Sequence, residues 1–112
     1  MHGITLTLTG DGDDPMFAVY DGHGTEGHDC AAYAARQLPK SLAKFMKQKR
    51  AKLHISNLKK EGKSTKGAWN PKIWPPLDAK NYEECCRMAC LETNKLMHNN
   101  QNVSHTHKKF CL

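Results

Sequence analysis

The 112-residue sequence lacks three features that would assign it to a common class of protein. It has no stretch approaching the ~18 consecutive apolar residues that a transmembrane helix needs. Its first residues lack the basic start and the long apolar run of a secretory signal peptide. Its five cysteines are too few for a densely disulfide-bonded scaffold. We therefore expect a cytoplasmic or nuclear protein without a membrane partner, and a monomeric state.

The sequence does contain a marked asymmetry of charge. It carries 17 Lys and Arg residues against 11 Asp and Glu residues, for a formal net charge of +6. Six acids and no Lys or Arg lie between Asp11 and Asp29, whereas nine basic residues and one acid lie between Lys47 and Lys72. The second segment has a net charge of +8, and the rest of the chain sums to −2. The basicity belongs to one segment, so nucleic acid is not the expected partner of the whole molecule.

The first part of the chain has the pattern of a β-hairpin. Residues 4–9 (ITLTLT) alternate in polarity with period two, which predicts a strand. Residues 16–20 (MFAVY) form a short apolar, β-prone run. Because Gly, Asp and Pro dominate the residues between the two runs, a turn is expected there.

The rest of the chain predicts two helices, so the expected fold is α/β (α+β). Apolar residues recur at three- and four-residue steps from about Gly27, where Pro39 either kinks the helix or opens a second one. Residues 61–76 hold two glycines and three prolines and predict a loop. Residues 79–98 again show an amphipathic face and predict the second helix.

The segment with the most chemical information follows the second predicted strand and reads Asp21-Gly22-His23-Gly24. A carboxylate at a strand end is held on a rigid element, and Mg²⁺ and Mn²⁺ favour carboxylate, carbonyl and water oxygens. A histidine beside them can exchange a proton near neutral pH. One carboxylate does not make a metal site, however. The spacing alone leaves open a β-to-α turn in which Asp21 bonds to nearby backbone amides.

Three stretches of the chain together resemble the PPM-type (type 2C) metal-dependent protein serine/threonine phosphatases. The strand and loop MFAVYDGHG is similar to that family's V-[FY]-D-G-H-[AG], and residues 89–98 (ACLETNKLMH) are similar to its second helix. The family's A-x-[FY]…L-P-x-x-L helix is matched at Ala31, Tyr33, Ala34, Leu38, Pro39 and Leu42. The resemblance covers residues 14–102, and its most specific part is the DGHG strand.

The resemblance implies a fold, an activity and three site residues. The fold is an α-β-β-α sandwich, of which this chain would supply two strands and an outer helix pair. The activity is hydrolysis of phosphoserine and phosphothreonine in phosphoprotein substrates, with two Mg²⁺ or Mn²⁺ ions as cofactors. By resemblance, Asp21 would be a metal-ligating carboxylate, Gly22 a metal-ligating backbone carbonyl, and His23 the general acid.

Several parts of the family pattern do not occur in the chain. No Arg precedes Asp21, where the family has a phosphate-binding Arg on an upstream strand. The family's later S-G-[ST]-T-A, G-D-S-R and D-G-[LIV]-W-D segments and its terminal D-N Asp are also missing. We therefore expect a partial PPM-type domain, an N-terminal fragment, over residues 1–103, with a basic variable loop at 47–76 and an unstructured tail at 104–112. We also expect this chain alone to be inactive.

Three other groups of residues have more than one interpretation. The segment from Lys47 to Lys72 is either a small basic module that binds nucleic acid or acidic partners, or a solvated, mobile insertion. His105 and His107 could bind a transition metal weakly, although an unstructured tail is expected. The helical cysteines lack the spacing of a zinc site and are expected to be buried structural thiols: Cys30, Cys85, Cys86 and Cys90.

Overall fold

The fold is mixed α+β, as the sequence predicts. The computed structural model describes residues 2–5, 8, 15–24 and 26–99. Its elements are β1 (His2–Thr5), β2 (Met16–Val19), α1 (Gly27–Lys60), a 3-10 turn (Pro71–Ile73) and α2 (Ala79–Asn99). In these ranges, neither helix combines the length and the apolar composition of a membrane span. The expected tail at 104–112, with His105 and His107, lies outside the described residues.

The two strands form the antiparallel hairpin predicted from the sequence. His2 pairs with Val19 and Ile4 pairs with Phe17. The bounds differ from those expected, because β1 starts at His2, two residues before the predicted strand at 4–9, and ends at Thr5. Polarity alternates along residues 4–9, but alternation does not decide which residues are paired. The four residues of β2 pair with His2–Thr5, and this register sets the extent of β1.

The two faces of the hairpin have different surroundings. Successive side chains of a strand point to opposite faces. Ala18 packs against the core cluster that contains the buried Tyr20 and residues of α1. On the other face, Phe17 is 70% exposed and Val19 is 83% exposed, and Ile4 is exposed beside Phe17. The described residues therefore cover one face of the sheet with helices and leave the apolar second face open.

α1 is one continuous helix that contains Pro39. Of the two alternatives left open by the sequence, a new helix starting at Pro39 is therefore excluded. Proline in a helix interior removes one hydrogen bond and costs ~3 kcal/mol. Leu38 and Leu42 on either side pack against the buried clusters. Tertiary packing thus holds the helix together across the proline.

The expected loop at residues 47–76 is wrong over its first half, because α1 continues to Lys60. Residues 40–61 contain no glycine and no proline, and Lys, Arg, Gln, Ala and Leu are strong helix formers. Leu53 packs against the second core cluster, so this part of the helix also has a tertiary anchor. Six of the nine basic residues of the segment therefore lie on a helix, and the other three lie in the connection that follows it: Lys63, Lys66 and Lys72.

The end of α1 carries a glycine signal that sequence reasoning did not use. Gly62 adopts φ of +69°, in the left-handed region that favours glycine. The N–H of Lys63 donates to the Leu58 carbonyl at 2.9 Å, and the N–H of Gly62 donates to the Lys59 carbonyl at 3.2 Å. These two bonds satisfy carbonyls of the last helical turn and define a Schellman helix end.

α2 packs antiparallel to α1. Met97, near the end of α2, packs with Ala31 and Ala34 near the start of α1, whereas Cys85 packs with Met46 further along α1. Small or polar residues are buried between these clusters: Ser41, Ala89 and Thr93. Thr93 satisfies its hydroxyl by donating to the Ala89 carbonyl at 2.8 Å. Small side chains allow the two helices to approach closely along their middle.

Candidate functional site

The three predicted site residues lie directly after β2, where the strand ends at Tyr20. The Tyr20 side chain is buried with Cys30, Ala31 and Ala34 of α1. Burial, and secondarily Cys90, raises the pKa of Tyr20, so its phenol stays neutral at physiological pH. Tyr20 is therefore an anchor that fixes the end of β2 on α1. Asp21, Gly22 and His23 follow it on the exposed side of the chain.

Gly22 makes a close backbone contact with Gly27, the first residue of α1. A Cβ at Gly22 would lie 2.1 Å from the Gly27 carbonyl oxygen, and a Cβ at Gly27 would lie 2.7 Å from the Gly22 carbonyl carbon. Neither position accepts a side chain without backbone movement. The contact holds the loop against the first turn of α1. Sequence reasoning singled out Gly22 but missed Gly27, although a second glycine five residues on was a visible signal.

Asp21 and His23 form a pair at the surface. The Asp21 Oδ2 and His23 Nε2 atoms are 3.3 Å apart, and the two side chains are 78% and 85% exposed. Such an exposed pair contributes little to stability. In the described part of the chain, the contact of the Asp21 carboxylate is with His23, and no bond to a backbone amide is found. The alternative of a β-to-α turn closed by Asp21–amide bonds is therefore not supported.

The donor set around Asp21 does not make up a complete metal site. Mg²⁺ is held by carboxylates, carbonyls and waters in near-octahedral geometry. Among the described residues, no three His, Cys, Asp or Glu side chains are grouped so that they could hold a metal ion. Asp21 contributes one carboxylate, and Gly22 one backbone carbonyl. Asp11, Asp13 and Asp14 lie outside the described residues.

Comparison with known proteins gives no relative for this chain. No protein-family model, curated protein or solved structure matches it. The PPM-type assignment and the roles of Asp21, Gly22 and His23 therefore stay predictions from the sequence.

The cysteines divide into two groups. Cys30 and Cys85 are buried, as predicted, whereas Cys86 and Cys90 are exposed, so their predicted burial is wrong. Cys85, Cys86 and Cys90 are free thiols, but Cys30 is disulfide-bonded, so the free thiol expected at Cys30 is also wrong. The exposure of Cys86 and Cys90 follows from helical geometry. The buried face of α2 is set by Cys85, Ala89, Thr93 and Met97, and Cys86 and Cys90 each lie one residue beyond it. Desolvation raises the pKa of Cys85 and Cys86, which keeps both as thiols near neutral pH.

Proposed function

We propose that this chain forms part of the catalytic domain of a metal-dependent protein serine/threonine phosphatase of the PPM type. The reaction would be the hydrolysis of phosphoserine and phosphothreonine in phosphoprotein substrates. The chain would supply two strands and an outer helix pair of an α-β-β-α sandwich. The cofactors would be Mg²⁺ or Mn²⁺ ions, with further protein ligands from outside the described residues.

The observation that carries this proposal is the combination of the DGHG loop with a half-covered sheet. The helices pack on the Ala18 side of the hairpin, and Phe17 and Val19 are exposed on the other side. Exposed apolar patches of this kind are typical of interaction surfaces. A second sheet packed on that face would give the layer order of the sandwich. The loop with Asp21 directly follows β2 of this hairpin.

The arrangement of the three site residues fits the proposed roles in part. Asp21 is exposed at the end of a rigid strand, where its carboxylate is accessible to a cation. The Gly22–Gly27 contact fixes the backbone that would present the Gly22 carbonyl. The His23 Nε2 atom lies 3.3 Å from the Asp21 Oδ2 atom, so the imidazole stands beside the carboxylate that would hold the metal. Further carboxylates would have to complete the metal site.

The proposal is tested by phosphate release from a phosphothreonine peptide in the presence of Mn²⁺. We expect none above background from the 112-residue chain, because one metal carboxylate is too few. We expect activity from a longer protein that includes the coding sequence flanking this chain. In that protein, Asp21→Asn should lower kcat by about 100-fold or more. Asp29→Asn, which removes an exposed acid at the start of α1, is the matched control.

A second substrate distinguishes loss of a general acid at His23 from a general loss of enzyme activity. His23→Gln should lower hydrolysis of the phosphothreonine peptide by ~100-fold, because an alkoxide leaving group needs a proton. It should lower hydrolysis of p-nitrophenyl phosphate far less, because nitrophenolate leaves without one. His28→Gln, at an exposed histidine of α1, serves as the control. A longer protein without Mn²⁺-dependent activity, or one indifferent to Asp21→Asn, would contradict the proposed function.

A further inference from the structure

The connection between α1 and α2, residues 61–78, is unusually long for a helix–helix connection. Connections in helical bundles are about 2–8 residues, and longer ones in compact domains are uncommon and often functional. This one packs beside Arg50, which lies 23 residues from Gly27 and hence roughly 35 Å along α1 from the DGHG loop. It is therefore spatially separate from the proposed catalytic corner.

Side-chain hydrogen bonds give this connection a fixed conformation. The Arg50 guanidinium donates to the carbonyls of Pro71, Trp74 and Pro75, at distances of 3.2, 3.1 and 3.1 Å. The indole Nε1 of Trp74 donates to the Ala68 carbonyl at 2.7 Å. Ala68 itself is buried. These bonds join both ends of residues 68–75 to each other and to α1.

The fixed loop holds two large apolar side chains in solvent. Trp69 is 72% exposed and Ile73 is 56% exposed, although the neighbouring Trp74 turns inward. Because the loop is already ordered, burying Trp69 under a partner would cost little conformational entropy. Trp is strongly enriched among residues that dominate binding energy at protein interfaces. The loop thus presents a preorganised apolar anchor.

Lysines without an ion pair among the described residues lie on both sides of this anchor in the chain. In the described residues of the basic segment, Lys49 pairs with Glu84 and Lys63 pairs with Glu61. The ion pairs found there do not involve the remaining lysines: Lys47, Lys52, Lys59, Lys60, Lys66 and Lys72. Lys66 and Lys72 flank Trp69 in the chain and are exposed. Such a surface attracts an acidic partner.

We propose that Trp69 and Ile73, with Lys66 and Lys72, form a docking surface for an acidic protein segment that carries an apolar anchor residue. We call these four residues the Trp69 surface. A nucleic acid would use the lysines and could stack on Trp69, but its apolar contact with Ile73 would be confined to a base face or a thymine methyl group. A membrane would need a broader apolar area than the two side chains presented here. An acidic segment with one apolar side chain uses all four residues.

The test is binding of a fluorescently labelled Glu-rich peptide with one central Leu, measured by anisotropy. We expect Trp69→Ala to weaken binding about tenfold or more, and Lys66→Gln with Lys72→Gln to weaken it several-fold and to reduce its dependence on salt. Replacing the central Leu of the peptide by Ser should mimic Trp69→Ala. Circular dichroism of Trp69→Ala should be unchanged, because the side chain is exposed.

Two variants elsewhere serve as matched controls. Leu91→Ala removes an exposed apolar side chain from α2, and Lys40→Gln removes an exposed charge from α1 far from the loop. Both should bind the peptide within about twofold of the unchanged chain. Equal affinity of Trp69→Ala, no binding at about 1 mM peptide in low salt, or tighter binding of oligo-dT or phosphatidylserine vesicles would each overturn the proposal.

Discussion

The two loops that flank α1 are held in place in different ways. At the start of the helix, the DGHG loop is fixed by a backbone contact between Gly22 and Gly27, and its polar side chains are exposed. At the end of the helix, residues 61–78 are fixed by side-chain hydrogen bonds, above all those of Arg50. The first loop directly follows the hairpin whose second face is open. The second loop is held by the three Arg50 hydrogen bonds and the Trp74–Ala68 bond, which we call the Arg50 frame.

Because of this difference, the two loops differ in whether they need further protein groups to complete them. The Asp21 and His23 side chains contact each other and are otherwise exposed, so the proposed metal site would need ligands from outside the described residues. The loop at 61–78 needs no addition to keep its shape. Its exposed Trp69 is therefore available to a partner without rearrangement. We expect the two ends to respond differently to substitution.

The largest expected effect is at the glycine contact. Gly22→Ala places a Cβ 2.1 Å from the Gly27 carbonyl oxygen, and a backbone atom cannot give way as a flexible side chain can. We expect the free energy of unfolding, from urea denaturation, to fall by about 3 kcal/mol or more. Gly67→Ala is the control, since its φ of +75° is strained but nothing lies within 4 Å of the added Cβ. It should cost only ~1 kcal/mol.

The second largest effect on stability is expected from loss of the Arg50 frame, which holds the connection after α1. Arg50→Gln removes the forked donor that three carbonyls share, and should lower the free energy of unfolding by about 2–3 kcal/mol. Arg50→Lys should restore little of it, because an ammonium group cannot reproduce the planar fork. Arg36→Gln, at an exposed position of α1, should stay within about 0.5 kcal/mol. If Arg36→Gln and Arg50→Gln behaved alike, the frame would not be held by the guanidinium.

Substitutions on the open and the covered side of the hairpin should have very different effects on stability. Phe17→Ser removes an exposed side chain and should change the free energy of unfolding by less than about 0.5 kcal/mol. Tyr20→Ser, on the covered side, should cost about 3 kcal/mol or more. Urea denaturation of the two variants side by side measures the asymmetry directly. A large loss in Phe17→Ser would mean that the outer face is already covered.

The smallest effect concerns the ion pairs that join α1 to α2. A hydrogen bond from Lys44 and a further one from Ser41 hold the pKa of Glu92 below its ordinary value of 4.5. Because the folded-state pKa is the lower one, the stabilisation is present above the unfolded-state pKa and is lost as pH falls through the folded-state value. Glu92→Gln should therefore flatten the fall of Tm with acidification slightly.

The matched control for this titration is Glu83→Gln, an exposed acid on α2 for which no ion pair is found among the described residues. Its Tm should follow that of the unchanged chain across the acidic range. The change in Glu92→Gln stays small because both partners of the Lys44–Glu92 pair are partly exposed and solvent screens them. If Glu83→Gln flattened the fall of Tm with acidification as much as Glu92→Gln, the Lys44–Glu92 pair would not be its cause.

Short-range patterns in the sequence were enough to predict several elements of the fold. Alternation and turn residues predicted the hairpin, and the spacing of apolar residues predicted α2 and the start of α1. The last turn of α1 was also encoded locally, by Lys59, Lys60 and Gly62, but a high local charge suggested a loop. Charge does not prevent a helix when its residues have high helix propensity and the charges face solvent.

Which residues on each predicted face are buried depends on how the helices and the hairpin pack together. Cys86 and Cys90 share the apolar character of Cys85, yet the position of α1 places the contact on Cys85 and Ala89. The Gly22–Gly27 contact and the Arg50 frame also join residues whose closeness depends on how the chain turns between them. Periodicity constrains one element at a time, whereas close approach and side-chain bonding across elements arise only when the elements pack together.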